Sequence, residues 1–174
     1  IFVEELKKQH VISVLKHFPG HGSSLADSHL GFVDISKTWS EKELEPYRHF
    51  IKNNKVDMIM SAHVFNDKLD KEYPATLSHN VNTNLLRYKL GFDGVLVSDD
   101  LQMYAISKHY NLKETLTLAI NSGVNMLLFA NQLAKPITLD EIVDTVYKQI
   151  LSEQISLETI INANKRIDSL LQKL

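Results

Sequence analysis

Polar and ionisable residues follow four short apolar runs of the sequence, at the point where each run ends. The residues that follow the runs are Lys16-His17, Ser61-Ala62-His63, Ser98-Asp99-Asp100 and Asn131-Gln132. A polar residue after one apolar run means little by itself, because loops are polar in general. Four such endings, three of them with ionisable groups, indicate one shared site, since catalytic groups of β/α folds lie at the carboxyl ends of strands.

The segment after the first run contains the largest number of residues that could take part in catalysis. Pro19, Gly20 and Gly22 permit a sharply turning backbone. Asp27 and His29 lie two residues apart, and a carboxylate near an imidazole can select its tautomer and stabilise its charged form. Such a pair suits a general acid/base that works near neutral pH. The alternative is an ordinary Asp-x-His pair on the surface.

Two consecutive acids, Asp99 and Asp100, follow the third apolar run. An acid at the end of a buried strand can act as a nucleophile, a metal ligand or an acceptor for a substrate hydroxyl. The alternative is a capping role at the start of the next helix, for which Asp100 is the better placed of the two.

Metal binding is a weaker interpretation of these strand ends. Three histidines, His17, His29 and His63, could join Asp99 as ligands of a cation. However, the strand ends contain no His-x-His pair, and Lys16 beside the site would repel a cation. The absence of cysteine from the sequence excludes a thiolate site and a disulfide scaffold. We therefore expect neither a metal nor another cofactor.

The elements that must position these residues alternate between strand and helix. The apolar runs are nearly continuous, which is typical of strands buried on both faces, and they cover residues 11–15, 56–60, 94–97 and 124–129. Helical patterns cover residues 1–10, 41–53, 82–90, 112–122, 139–151 and 156–174. This order predicts an α/β fold in which parallel strands are joined by right-handed crossovers.

Capping residues support several of these helix boundaries. Ser40 and Glu43, three residues apart, form the pattern of a capping box at the start of residues 41–53. Gly91 and Gly123 each follow a helical pattern, as suits a C′ residue. Ser156 is the expected cap of the last helix.

The composition narrows the class of protein. The 174 residues, of which 44% are hydrophobic and 23% charged, fit one globular domain or at most two small ones. The net charge of −2 provides no basic surface for nucleic acid. No apolar run approaches the roughly 20 residues of a membrane span.

The first ten residues indicate a chain cut from a longer protein. They resemble the tail of an amphipathic helix that lacks an N-cap, and Ile1 is not an initiator methionine. Processing to a mature N-terminus is the alternative explanation. The parts of a signal peptide are missing from these residues. The sequence therefore favours a cytoplasmic location, and secretion stays open because the true N-terminus is expected to lie elsewhere.

Two long motifs resemble a known family. Residues 16–29, which read Lys-His-Phe-Pro-Gly-His-Gly and end in Asp-Ser-His, resemble the signature of glycoside hydrolase family 3, in its β-N-acetylhexosaminidase branch. Residues 91–103 resemble the nucleophile segment of that family, and residues 61–64 and 74–78 are similar to its intervening strand end and loop. One departure is Ser23, where the family often has an acidic residue.

The resemblance implies a role for each candidate residue. Asp99 would be the nucleophile that forms a glycosyl-enzyme intermediate, His29 the general acid/base, and Asp27 the partner of His29. Lys16 and His17 would bind hydroxyls of a carbohydrate substrate. The implied activity is that of a retaining β-N-acetylglucosaminidase, which releases N-acetylglucosamine from cell-wall or peptidoglycan-derived sugars.

The length implies that the resemblance covers only part of a catalytic domain. The family's domain resembles a (β/α)8 barrel, a fold of about 250 residues, and the four strands match its second half. Residues 1–174 are therefore interpreted as the C-terminal half of a TIM-type barrel. Half a barrel exposes two sheet edges, so we expect a homo-oligomer or a missing N-terminal half as the partner. The family's acidic and arginine residues that hold the sugar belong to that first half.

Other functions stay open at this point. A half-barrel could be a non-catalytic fragment. A β-N-acetylglucosaminide phosphorylase is also consistent with the motifs, because a histidine acid/base repels an incoming phosphate less than a carboxylate does. A metal-dependent hydrolase is a third alternative.

Overall fold

The computed structural model of the chain describes residues 2–24, 33–132 and 135–173. Its strands are β1 (Val14–Phe18), β2 (Val33–Asp34), β3 (Met58–Ser61), β4 (Val64–Phe65), β5 (Val95–Asp100) and β6 (Met126–Leu128). Strands β1, β3, β5 and β6 form one parallel sheet in that order, and β2 pairs in parallel with β4. The predicted α/β fold with four parallel strands is confirmed. The two-residue strands β2 and β4 are too short for a sequence pattern to reveal.

Helices precede, connect and follow these strands. The α-helices are α1 (Phe2–Lys8), α2 (Glu45–Lys52), α3 (Tyr104–Ser107), α4 (Leu112–Ser122), α5 (Leu139–Leu151) and α6 (Leu157–Leu171). Shorter or wider helical turns are the 3-10 segments Glu41–Leu44 and Ala75–Leu77 and the π-helix Asn80–Lys89. Within the described part of the chain, no helix is long and apolar enough to cross a membrane.

The order of strands in the large sheet follows their order along the chain. Each crossover therefore moves in the same direction across the sheet, and an open doubly wound sheet would instead reverse direction at a switch point. Consecutive parallel strands joined by helical connections are the arrangement of a (β/α)8 barrel. The four strands correspond to half of such a barrel.

In the part of the chain that the structure describes, helices cover one face of the sheet. Ile59 and Leu96 are fully buried in the main core cluster on the covered face, together with residues of the surrounding helices. On the open face, Val14, Met126 and Leu128 are each 38% exposed. The continuous apolar runs predicted burial on both faces. For the edge strands β1 and β6 this prediction is wrong, because the described residues supply a covering layer on one side only.

Two strands extend further than their apolar runs. β1 starts three residues later than predicted, so Lys16 and His17 belong to the strand rather than to the loop after it. Asp99 and Asp100 likewise form the last two residues of β5. Hydrophobicity alone places these strand ends too early, because the last residues of each strand carry polar side chains.

The helix predictions hold best towards the C-terminus. Helices α4 and α5 have the predicted bounds. Ser156 caps α6, where its hydroxyl accepts a hydrogen bond from the backbone N–H of Glu158 at 3.2 Å. The predicted capping box at Ser40 is wrong: Ser40 makes no side-chain capping bond, and the carboxylate of Glu43 contacts the loop after β1 instead.

Replacing Gly123 by alanine should destabilise the chain more than the same change at Gly91. Both glycines follow a helix with positive φ, 105° and 74°, so a side chain is strained at either position. Only at Gly123 would the new Cβ also meet another group, Oγ1 of Thr83 at 2.7 Å. We expect losses in the free energy of unfolding of about 2 kcal/mol for Gly123→Ala and about 1 kcal/mol for Gly91→Ala, measured in urea. Equal losses would show that the contact with Thr83 has no cost.

Candidate active site

The side chains of His17 and Asp99 meet at the carboxyl-terminal edge of the sheet. His17 lies near the end of β1 and Asp99 near the end of β5, with β3 between them. Two strand spacings of about 4.8 Å separate these strands, and the side chains extend across the gap. Nε2 of His17 is 3.8 Å from Oδ2 of Asp99, and the two side chains are 31% and 21% exposed. A protonated His17 would therefore form an ion pair with Asp99 that solvent can reach.

Lys16 lies on the same face of the sheet as Asp99. In the register of the strands, Lys16 is aligned with Met60 and Met60 with Val97, two residues before Asp99. Because side chains alternate along a strand, Lys16, Val97 and Asp99 share the open face. Lys16 is exposed. The structure places Lys16, His17 and Asp99 at one edge of the sheet, while Asp27 and His29 lie outside the described residues.

Asp100 has a different role from its neighbour. Its side chain is buried, and Oδ1 accepts hydrogen bonds from the backbone N–H groups of Gln102 at 3.1 Å and Ala130 at 3.2 Å. These bonds join the end of β5 to the segment after β6. The alternative expectation that Asp100 caps the next helix is wrong, because α3 begins at Tyr104 and its N-cap is Met103.

His63 is a buried structural group rather than an open site residue. Its side chain is 2% exposed, with Nδ1 2.9 Å from Oγ1 of Thr76 and Nε2 2.8 Å from the carbonyl oxygen of Asp100. Burial lowers the pKa of His63, which favours the neutral imidazole. Since both ring nitrogens are engaged, the ligand set that would include His63 does not form. The described residues contain no group of three or more His, Cys, Asp or Glu side chains suited to a metal.

The fourth strand end contributes structural contacts. The side chain of Asn131 accepts a hydrogen bond from the backbone N–H of Ile137 at 3.0 Å and donates one to its carbonyl at 3.3 Å. Ser98 on β5 is fully buried and accepts from the backbone N–H of Leu128 at 2.9 Å. In the described part of the chain, the site that four strand ends predicted is therefore built from the ends of β1 and β5.

Glu43 and Trp39 are site-supporting residues that the sequence analysis missed. The Glu43 carboxylate accepts hydrogen bonds from the backbone N–H of Gly22 at 3.1 Å and from the hydroxyl of Ser23. The indole N–H of Trp39, which is buried, donates to the carbonyl of Pro19 at 2.9 Å. Together these bonds attach the loop after β1 to the region before α2. The capping-box pattern concealed the role of Glu43, and nothing in the sequence indicated the bond from Trp39.

A cavity of about 650 Å³ lies at the opposite, amino-terminal edge of the sheet. Its lining includes two ion pairs, Arg166 with Asp93 at 2.8 Å and Lys173 with Asp57 at 2.6 Å. These pairs hold α6 and the residues after it against the amino-terminal edge of the sheet. None of the candidate residues at the strand ends lines this cavity, so its size does not make it the catalytic site.

The comparison with protein families identifies the chain. The family model of the glycosyl hydrolase family 3 N-terminal domain matches residues 1–170. The chain belongs to glycosyl hydrolase family 3. The resemblance stated from the motifs at residues 16–29 and 91–103 is thereby confirmed.

Curated relatives of this family 3 chain carry the name beta-hexosaminidase. The relative from Tolumonas auensis is 38% identical over 141 residues, which cover 79% of this chain and 42% of the relative. The relative from Haemophilus influenzae is 38% identical over 134 residues, which cover 75% of this chain and 38% of the relative. The chain thus spans about two fifths of the length of these relatives.

Solved structures with the same fold are named β-N-acetylglucosaminidases. A family 3 enzyme from a Paenibacillus species superposes with a TM-score of 0.87 at 34% identity, covering 98% of this chain and 32% of that one. The enzyme from Thermotoga maritima superposes with a TM-score of 0.80 at 30% identity, covering 93% and 35%. The four-stranded unit therefore has nearly the shape that it has within larger family members.

Acid should destabilise the chain partly through His63. The folded state lowers the pKa of this imidazole below its unfolded value of about 6.5, so its contribution to stability is complete above pH 6.5 and is lost as the pH falls below it. In urea unfolding between pH 7.5 and pH 5, His63→Gln should lose less stability than the wild type. Parallel curves for His63→Gln and wild type would contradict the prediction.

Proposed function

We propose that the chain carries the reacting groups of a retaining β-N-acetylglucosaminidase. The observation that supports this proposal is the partly exposed carboxylate of Asp99 at the open edge of the sheet, 3.8 Å from His17. Retaining hydrolysis needs a group that attacks the anomeric carbon and another that protonates the leaving oxygen. Asp99 is suited to the first task. The second is assigned to His29 with Asp27 as its partner, through the family motif at residues 16–29.

The reaction would proceed in two steps. In the first, the carboxylate of Asp99 attacks the anomeric carbon while protonated His29 gives its proton to the departing glycosidic oxygen. In the second, neutral His29 takes a proton from water, which attacks the same carbon and releases the carboxylate of Asp99. Lys16 and His17 would bind sugar hydroxyls beside the reacting carbon, as the family motif implies. The N-acetylglucosamine part of the substrate follows the names of the relatives. Its attachment to cell-wall or peptidoglycan-derived sugars is what the family resemblance implies.

We also propose that the open face of the sheet requires a second half-barrel. Among the described strands, β1 and β6 each pair on one side only. The open face exposes Val14, Met126 and Leu128, and α5 carries an exposed apolar stripe at four-residue spacing, formed by Leu139, Val143, Tyr147 and Leu151. Burial of apolar surface of this kind contributes about 25 cal/mol per Å². For the isolated chain, a second copy can supply this cover, with β6 of each copy beside β1 of the other.

Asp99→Ala should abolish hydrolysis of a chromogenic N-acetylglucosaminide, with a loss of roughly 1,000-fold or more, because the variant lacks the nucleophile of the first step. Asp93→Ala is the matched control, since Asp93 is an exposed acid paired with Arg166 at the other edge of the sheet. The control should keep its activity, and a chelator should change the activity of neither protein.

Adding inorganic phosphate tests phosphorolysis, which predicts a sugar phosphate among the products. If the assembled wild-type chain releases no sugar under any of these conditions, the catalytic proposal is wrong.

The isolated chain should have a mass near twice 19.9 kDa in light scattering coupled to size-exclusion chromatography. Leu128→Glu places a charge on the open face and should shift the mass towards that of one chain. Tyr88→Glu changes a residue that is 78% exposed on the π-helix, outside the open face, and should leave the mass unchanged. A folded wild-type monomer would rule out self-pairing.

A further inference from the structure

The hydrogen bonds around His63 define which ring nitrogen carries the proton. Nε2 lies 2.8 Å from the carbonyl oxygen of Asp100, and a carbonyl can only accept, so Nε2 must donate. Burial favours the neutral ring, which leaves Nδ1 with a lone pair. Oγ1 of Thr76 lies 2.9 Å from this nitrogen and also 2.9 Å from the carbonyl oxygen of Ala62, so one hydroxyl proton serves these two acceptors. His63 is therefore held as the Nε2–H tautomer.

His63 belongs to a short series of buried hydrogen bonds. The hydroxyl of Ser61, on β3, is 3.0 Å from Oγ1 of Thr76 and donates to it. Oγ1 of Thr76 contacts Nδ1 of His63, and Nε2 of His63 donates to the carbonyl oxygen of Asp100. All three side chains in this series are at most 2% exposed, so water does not compete for these bonds. The series ends at the backbone carbonyl of Asp100 on β5, the residue immediately after the candidate nucleophile.

Asp100 transmits this constraint to Asp99 through its own backbone. The backbone N–H of Asp100 donates to Oδ1 of Asp99 at 2.9 Å, while the carbonyl of Asp100 accepts from His63. The two ends of residue 100 are thus both engaged, one by the nucleophile and one by the buried imidazole. The second carboxylate oxygen of Asp99, Oδ2, is the one that lies 3.8 Å from His17 at the open edge.

We propose that His63 is a positioning residue for the nucleophile: it orients the backbone of Asp100 so that the amide of Asp100 holds Oδ1 of Asp99 and Oδ2 attacks the anomeric carbon. The inference rests on the proposed function of Asp99. It also assigns different tasks to the two oxygens of one carboxylate. Orientation of this kind matters because a displacement of about 1 Å between reacting groups can cost about 100-fold in rate.

Three variants separate positioning from simple structural support. His63→Leu removes the donor and keeps an apolar side chain in the site. His63→Gln retains a side-chain N–H that can donate to Asp100. Thr76→Val removes the hydroxyl that contacts Nδ1 of His63, with little change in volume. Each is measured as the assembled full chain, by hydrogen exchange at the Asp100 amide and by steady-state kinetics.

The expected result is a selective effect on the chemical step. His63→Leu should lower kcat roughly 10- to 100-fold, keep KM within about 2-fold, and increase exchange of the Asp100 amide at least 10-fold. His63→Gln should recover most of kcat and of the amide protection. Thr76→Val should give an intermediate loss and shift the Nδ1 signal in nitrogen NMR of the ring, and it serves as the test if His63→Leu fails to fold.

Two outcomes would overturn the inference. One is a fall in thermal stability for His63→Leu with unchanged kcat and amide exchange, and the other is an equal loss of kcat in His63→Leu and His63→Gln. A fluorinated N-acetylglucosaminide that traps the glycosyl-enzyme tests the role of Asp99 as nucleophile independently of the role of His63. Failure to label Asp99 in the wild type would contradict the proposed function, whereas protection of the Asp100 amide is measured without any substrate.

Discussion

Parallel pairing of β1, β3 and β5 in chain order is the constraint on which the candidate site depends. It brings the carboxyl ends of all three strands to one edge, so that His17 and Asp99, 82 positions apart in the sequence, come within 3.8 Å. The same pairing places the ion pairs of Asp57 and Asp93 at the other edge. A register shift of one residue would exchange the faces of the sheet and bury Asp99.

The alternation of side chains along β5 separates two adjacent acids. Asp99 faces the open side, and Asp100 is buried and accepts backbone hydrogen bonds that tie the ends of β5 and β6 together. The buried side chains of Ser61, Thr76 and His63 are hydrogen-bonded to one another or to the backbone. Because an unpaired polar group in this region would be costly, these bonds hold the strand ends in one arrangement. A nucleophile benefits from such a rigid support.

The open face of the sheet leaves apolar side chains exposed. In a closed barrel the inward side chains of all strands pack in layers, whereas here Val14, Met126 and Leu128 keep more than a third of their surface exposed. The chain also spans about two fifths of its curated relatives. Catalysis and assembly are therefore linked in our proposals, because the wall of the sugar site opposite Asp99 would come from whatever closes the sheet.

The sequence by itself determined the family, the order of strands and helices, and the ends of α4 and α5, since these follow from local motifs, periodicity and capping residues. Its order of parallel strands also predicts that Lys16, His17 and Asp99 share one edge of the sheet. Only the tertiary structure decided that Asp100 and His63 are buried supports and that Glu43 bonds to the loop after β1 rather than to its own helix. Such assignments depend on contacts between residues distant in the chain, and hydrogen-bond partners across a fold leave no local pattern in the sequence.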